Sequence, residues 1–185
     1  MDVKELAILL ILLVLVVILL RRTGANRGEK TRSARLMKRY AHMAREKLES
    51  IPEGEMVDAV VSRVLARAGE SRRPDVDVAL TELGHGSRVV YTLWAVCKEM
   101  AAGDFATLRR TATWPLAQQA AEHFRGVGAV ACGDAWAALL RCEGDTAEAE
   151  AAFRAAVAQE HPLGLCEEYI RDNAEAFLDE QSEEE

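Results

Sequence analysis

The chain has 185 residues, which leaves room for one modest domain, a connector and a membrane segment but excludes two catalytic domains. Its net charge of −7 hides two opposite parts. Residues 21–47 carry ten basic side chains against two acidic ones, a net of +8, whereas residues 48–185 carry twelve against twenty-six, a net of −14. Direct binding to nucleic acid is not expected from so acidic a body.

The N-terminal segment, residues 1–22, is predicted to be a single transmembrane helix that anchors the chain. Residues 6–20 read LAILLILLVLVVILL, and flanking charged side chains extend this apolar run to a helix of about 20 residues, enough to cross a bilayer. A cleaved signal peptide is the weaker interpretation, because acidic residues precede the run and no small-residue cleavage site follows it. The basic residues after the anchor predict that the N-terminus faces out and the domain is cytoplasmic.

Residues 23–50 are predicted to form a basic juxtamembrane helix and linker. Apolar side chains recur at helical spacing through residues 29–48, with Arg and Lys between them. Such a stretch is drawn to anionic lipid headgroups and also sets the topology. Ser50 and Glu53 match a capping box ahead of a helix that begins at Met56.

Residues 51–180 are predicted to form a compact all-α domain, because apolar residues repeat at helical spacing and no segment alternates with a period of two. The helix at 87–102 should lie at the centre of the core, after a break at Gly84-His85-Gly86. The acidic tail, residues 181–185, is predicted to be disordered. Helices are expected at residues 56–68, 76–83, 87–102, 115–126, 129–142, 146–159 and 163–178.

The segment VVYTLWAVCKEMAAGDF, residues 89–105, resembles the signature of the DNA-mimic protein-like domain family, a domain of unknown function. In that family, a helix with Tyr and Trp leads into a turn reading roughly EVNNGGF. The residues in register with this turn are Glu99, Met100, Gly103 and Phe105. The similarity continues to YIRDNAEAF at 169–177. It implies an all-helical fold and, from one member, an acidic protein that occupies the DNA-binding face of a transcription factor.

The central helix and its turn supply the candidate binding residues, which are Trp94, Glu99, Gly103 and Phe105. Glu99 could organise the turn by accepting backbone N–H groups. Trp94 and Phe105 are also interpreted as structural residues, because both are in register with the family signature and Trp94 lies on the apolar stripe of the helix. Ala101 and Ala102 stand where the family has asparagines, so the polar turn is largely lost. The resemblance therefore supports the fold more than the activity.

No cofactor, metal or catalytic site is predicted. The four cysteines lie far apart without a CxxC pair and are interpreted as buried, reduced thiols. The four histidines match no catalytic motif and are expected on the surface or in loops. GVGAVA at 126–131 matches a dinucleotide-binding pattern, but helical sequence precedes it, so a turn between helices is favoured.

A second resemblance lies in GDTAEAEAAFRAAVAQEHP, residues 144–162, which is similar to the second half of a tetratricopeptide repeat. Ala149, Phe153 and Ala156 stand at the expected offsets. The first half is about a turn too short, and no other copy recurs at a spacing of about 34 residues.

These features predict a non-enzymatic, membrane-anchored interaction domain whose acidic surface meets a protein partner. The first expected partner is membrane lipid, bound through the anchor and the basic stretch. The second is a protein, and a basic surface on that protein would suit the acidic domain. Two alternatives are an acidic protein of DNA-mimic type, competing for a basic DNA-binding partner, and a tetratricopeptide-like scaffold. An enzyme lacks a supporting motif, and no small-molecule substrate is expected.

Overall fold

The structure, a computed structural model, describes residues 31–70 and 75–179. Within these ranges every regular element is a helix and no strand occurs, which confirms the all-α prediction. No helix in the same ranges is long and apolar enough to cross a bilayer. The predicted anchor at 1–22 and the predicted disordered tail at 181–185 lie outside the described residues.

Residues 31–40 form the first described helix, α1. The helices that follow are α2 (Arg45–Glu49), α3 (Met56–Glu70), α4 (Val76–Glu82), α5 (Gly84–Ala102), α6 (Phe105–Leu108), α7 (Trp114–Ala117), α8 (Ala120–Gly126), α9 (Val130–Arg141), α10 (Ala147–Glu160), α11 (Pro162–Asp172) and a 3-10 helix (Ala174–Phe177).

The central helix of the domain is α5, as the sequence predicts. It packs against α3, α4, α8 and α11 and against the 3-10 helix. Val90, Leu93 and Val96 are completely buried. Since side chains three residues apart share one side of a helix, this face is directed into the core along much of the helix.

Aromatic side chains hold the second half of the bundle together. The Trp136 ring lies 5.7 Å from the ring of Phe105 and 4.8 Å from that of Phe153, which in turn meets Phe124 at 5.7 Å. Edge-on and tilted contacts of this kind suit the charge distribution of aromatic rings. The indole N–H of Trp136, fully buried, donates to the carbonyl of Ala117 at 2.7 Å. No donor is therefore left unpaired at the centre of this cluster.

The GVGAVA segment contains the turn between α8 and α9, which confirms the prediction of a turn between helices. Gly128 has a φ of +89°, in the left-handed region that favours glycine. Gly133 then allows close packing of the two helices, because a Cβ there would lie 2.8 Å from the carbonyl oxygen of Ala121.

The prediction of one continuous helix over 29–48 is wrong within the described residues. α1 ends at residue 40, and the chain turns before α2. The Met43 N–H donates to the carboxylate of Asp179 at 2.8 Å, and the Met43 carbonyl accepts from the Asp179 N–H at 2.9 Å. Backbone groups paired in this way cannot continue a helix. Tyr40 and Met43 are also buried, so the core extends into the predicted linker.

Two local predictions around the helix ends are also wrong. Ser50 does not form a capping box with Glu53; its hydroxyl donates instead to the carbonyl of Lys47, at the end of α2, at 2.8 Å. The break expected at Gly84-His85-Gly86 is confined to Gly84, which has a φ of +81°. Gly86 lies inside α5, where the Phe177 ring approaches so closely that a Cβ would lie 3.0 Å from it.

The helices predicted at 115–126 and 163–178 are each divided in the structure, the first into α7 and α8 and the second into α11 and the 3-10 helix.

The short helix α6 was not predicted. Asp104 begins it by accepting the N–H of Thr107 at 2.7 Å, which satisfies a donor that a helix start leaves open.

An ion pair between the buried Arg63 and the partly exposed Asp179 joins α3 to the C-terminal part of the domain. Arg63 is 3% exposed, and its guanidinium donates to the Phe177 carbonyl at 2.5 Å and to the Asp179 carboxylate. Burial of the Asp179 carboxyl group acts to raise its pKa, but the Met43 N–H and the Arg63 charge together outweigh this effect. The pKa of Asp179 is therefore held below its ordinary value, and the fold retains the ionised carboxylate.

Asp179→Asn should lower the free energy of unfolding by about 3 to 5 kcal/mol, because it leaves the buried Arg63 without a counter-charge. In the wild-type protein the ion pair should contribute this stability at neutral pH. The contribution should begin to fall once the pH is below about 3.9, the ordinary carboxyl pKa, and should be lost once the pH has fallen through the lowered pKa of Asp179 in the folded state. Urea unfolding of residues 23–185, followed by circular dichroism, measures both effects. Asp172→Asn, which changes an exposed carboxylate, is the control; equal losses for the two variants would contradict the prediction.

Candidate functional site

Helices α1, α3 and α5 enclose a surface groove with a volume of about 300 Å³, termed the Trp94 groove. It is formed between three elements that are far apart in sequence. Its lining includes Arg32 and Leu36 from α1, Asp58 and Leu65 from α3, and Trp94 and Lys98 from α5.

Trp94 forms one wall of the groove. Its ring is half-buried and lies 5.6 Å from the ring of Tyr91. The ammonium group of Lys98, one turn later, lies 4.7 Å from the centre of the Trp94 ring. Because the face of an aromatic ring attracts a cation, the lysine is held beside the groove while it stays exposed to solvent.

A second cation, Arg32 of α1, also lines the groove. Arg32 forms an ion pair with Asp58 at 3.1 Å, with side-chain exposures of 65% and 40%. A pair this exposed contributes little to stability. The charged groups of the described lining are thus the cations Arg32 and Lys98 and the anion Asp58. They lie in the same lining as the apolar side chains of Leu36 and Leu65. This arrangement suits an amphipathic ligand that carries a negative group.

The other three predicted site residues do not line the groove. Phe105 is 3% exposed and packs edge-on against Trp114 at 5.6 Å, so it belongs to the core. Gly103 is the residue that ends α5, in an extended conformation. Glu99 is half-buried, and the carboxylate that accepts a backbone N–H just after α5 is that of Asp104.

Arg154 on α10 also holds this turn, and the sequence analysis missed it. Its guanidinium donates to the carbonyl of Met100 at 2.5 Å and to that of Gly103 at 2.7 Å. The last turn of α5 has no basic residue of its own, and the final carbonyls of a helix need a donor or a positive charge nearby. That lack is visible in the sequence, but only the fold identifies the residue that supplies the charge.

Part of the acidic excess serves the fold. Glu160, at the end of α10, accepts the N–H groups of Ala131 and Cys132 at 2.9 and 2.8 Å, which satisfies donors at the start of α9. Glu167 on α11 accepts the N–H of Gly54 at 3.0 Å. These carboxylates fasten segments that are distant in sequence and are therefore already occupied.

Other carboxylates point to solvent. Glu168 and Asp172 lie one turn apart on α11, are both exposed and are here termed the acidic ridge. Glu148, in the first turn of α10, and Glu143 before it are exposed as well. Because like charges four residues apart repel each other, a basic partner would relieve a small destabilisation at the ridge.

The cysteines are free thiols, as predicted, but only Cys132 and Cys166 are fully buried. Burial is the main reason that the pKa values of Cys97, Cys132 and Cys166 are raised to about 12. A nucleophilic cysteine needs a lowered pKa, so these three thiols are unsuited to catalysis.

The expectation of surface or loop histidines is wrong for His123. It is 8% exposed, and its ring meets that of His85 edge-on at 5.9 Å. Burial and, to a smaller extent, the proximity of His85 and of the Arg88 guanidinium lower the pKa of His123, so the neutral imidazole is favoured. Within residues 31–70 and 75–179, no group of three or more His, Cys, Asp or Glu side chains could hold a metal ion.

Phe105→Ala should lower the free energy of unfolding by about 3 to 5 kcal/mol, because it opens a cavity in the aromatic core. Trp94→Ala should cost clearly less, since the ring is only partly buried and lines the groove. Thermal melting of residues 23–185 compares the two variants. A Trp94→Ala variant that melts as early as Phe105→Ala would contradict the assignment of Trp94 to an accessible surface.

No protein-family model matches the chain. No curated protein and no solved structure shows significant similarity to it.

Proposed function

We propose that the chain is a single-pass, membrane-anchored helical interaction domain without catalytic activity, whose cytoplasmic acidic surface binds a protein partner. The observation that carries this proposal is the separation of charge over one folded body. α1 exposes Arg35, Lys38 and Arg39, whereas α11 exposes the acidic ridge. Such a domain can meet an anionic membrane with one surface and a basic protein with another.

The membrane part of the proposal depends on the apolar run at residues 6–20. Its length suits a bilayer crossing, and the basic residues that follow it favour retention of the domain in the cytoplasm. The same basic residues would also contact anionic lipid.

The protein partner is proposed from the exposed carboxylates of the C-terminal helices. Opposite charge on a partner raises the rate of encounter and disfavours acidic competitors. A partner with Lys or Arg on its surface is therefore the best match for the acidic ridge.

Two alternatives remain. The resemblance at residues 89–105 suggests a DNA-mimic activity, which would need carboxylates aligned along one face at spacings near those of duplex phosphates. The carboxylates of Glu160 and Glu167 count against it, because backbone N–H groups already occupy them. A tetratricopeptide-like scaffold is supported by the packing of α9 against α10, with Phe153 and Ala156 buried.

The full-length chain should remain with membranes during carbonate or high-salt extraction, because the apolar anchor supplies most of the attachment and the basic stretch only a salt-sensitive part. Cell fractionation followed by immunoblotting measures this. Residues 23–185 should instead be soluble and keep a helical circular dichroism spectrum. Release of the full-length chain by salt alone would contradict the anchor. Aggregation of the shorter chain would indicate an exposed apolar surface that the anchor or a partner normally buries.

Crosslinking in intact membranes, followed by affinity capture, should yield a partner with a basic surface. The double variant Glu168→Gln/Asp172→Asn should weaken its binding roughly fivefold, at about 0.5 kcal/mol for each exposed charge. Glu49→Gln/Glu53→Gln removes two exposed carboxylates outside the C-terminal helices and is the matched control. Binding that ignores the ridge variant, or that falls equally with the control, would contradict the proposed surface.

A further inference from the structure

We further propose that the Trp94 groove binds the headgroup of an anionic phospholipid and thereby docks the folded domain onto the membrane that holds its anchor. The inference rests on the proposed membrane tethering and adds to it a defined site, formed by Arg32, Trp94 and Lys98. The ligand is a lipid phosphate at the bilayer surface, bound by side chains of the folded domain.

The two cations of the groove can act on one anionic group because Arg32 of α1 and Lys98 of α5 line the same pocket. Lys98 is exposed and is kept beside the Trp94 ring at 4.7 Å. Arg32 donates from one terminal nitrogen to Asp58 at 3.1 Å. A guanidinium has five N–H donors, so the rest of this fork remains able to bind phosphate oxygens. Asp58 thus orients Arg32 while leaving most of its N–H donors available.

The apolar part of the groove suits the region just below a headgroup. Leu36, Val61 and Leu65 line it beside Trp94. Tryptophan is favoured at the boundary between water and hydrocarbon, because its ring is apolar while its N–H can bond to water or headgroups. A site whose cations are exposed and whose apolar side chains are partly or fully buried therefore suits the charged headgroup and the adjoining apolar part of a phospholipid.

The length of the connector keeps this groove near the bilayer. Only residues 21–30 separate the predicted apolar run from α1, and ten residues span at most about 35 Å even when fully extended. The exposed cations Arg35, Lys38 and Arg39 of α1 continue the positive surface beyond Arg32. The groove and the basic helix can thus contact the same anionic surface together.

A soluble acidic peptide would meet the same two cations, but the tether favours lipid. An anchored domain meets headgroups at a high effective concentration, because the connector confines it to the membrane surface. A free peptide has no such advantage. The lipid is therefore the occupant chosen, and the peptide is an outcome of the test.

The test uses the full-length chain in nanodiscs of phosphatidylcholine, with or without phosphatidylserine, whose acyl chains carry bromine close to the headgroup. Bromine quenches tryptophan fluorescence at short range, and a Trp94→Phe variant identifies the part of the signal that comes from Trp94. Arg32→Gln/Lys98→Gln removes the two groove cations, and Arg32→Lys/Lys98→Arg retains the charge. Arg110→Gln/Arg141→Gln removes two exposed cations that do not line the groove.

Trp94 should be quenched in nanodiscs with phosphatidylserine and much less in pure phosphatidylcholine. The quenching should be lost in Arg32→Gln/Lys98→Gln and in about 1 M salt, where charges are screened beyond about 3 Å. It should be kept in Arg32→Lys/Lys98→Arg, which retains the groove charges, and in Arg110→Gln/Arg141→Gln, which removes charges elsewhere. Equal quenching in both lipids overturns docking of the groove on anionic lipid. Absence of quenching from both, in a chain that stays with membranes during carbonate extraction, also overturns docking but leaves the anchor intact. Carbonate release contradicts the anchor itself, and a Trp94 response to poly-glutamate without one to phosphatidylserine overturns the lipid as occupant.

Discussion

The buried guanidinium of Arg63 is the constraint on which the rest of the structure depends. A guanidinium cannot lose its charge in a protein, so its burial requires an anion and hydrogen-bond acceptors beside it. Asp179 and the Phe177 carbonyl supply them from the opposite end of the domain. Because Asp179 is held against α3, its carboxylate can also accept the N–H of Met43. This contact helps to set the point where α1 ends. The N-terminal wall of the Trp94 groove is therefore located by the C-terminal segment.

Charged side chains fasten helix ends elsewhere in the bundle too. Arg154 holds carbonyls at the end of α5, Glu160 holds N–H groups at the start of α9, and Glu167 holds the N–H of Gly54. Many of the helices are short, so unpaired terminal groups form a large share of the backbone. This use of carboxylates explains why the acidic excess of residues 48–185 is only partly presented to partners.

Helical periodicity predicts most of the helices and the burial of their apolar faces, because spacing alone determines which side chains share a face. The predictions that are wrong depend on contacts between residues distant in sequence. The end of α1 follows from backbone pairing with Asp179, and Gly86 gives room to an aromatic ring without ending a helix. Trp94 could be selected from the sequence as an aromatic residue on the central helix. Arg32, in contrast, reaches the same groove only through packing of α1 on α3 and α5.

The pairing of Met43 with Asp179 closes a loop across 136 sequence positions. Closing a long loop costs chain entropy before the contact stabilises anything, so we expect this pairing to form late in folding. Helices α8 to α10 pack against neighbours in sequence and can assemble earlier. The last step of folding would then place α1 beside α3 and α5. A chain caught before this step would have a helical bundle but would lack the Trp94 groove.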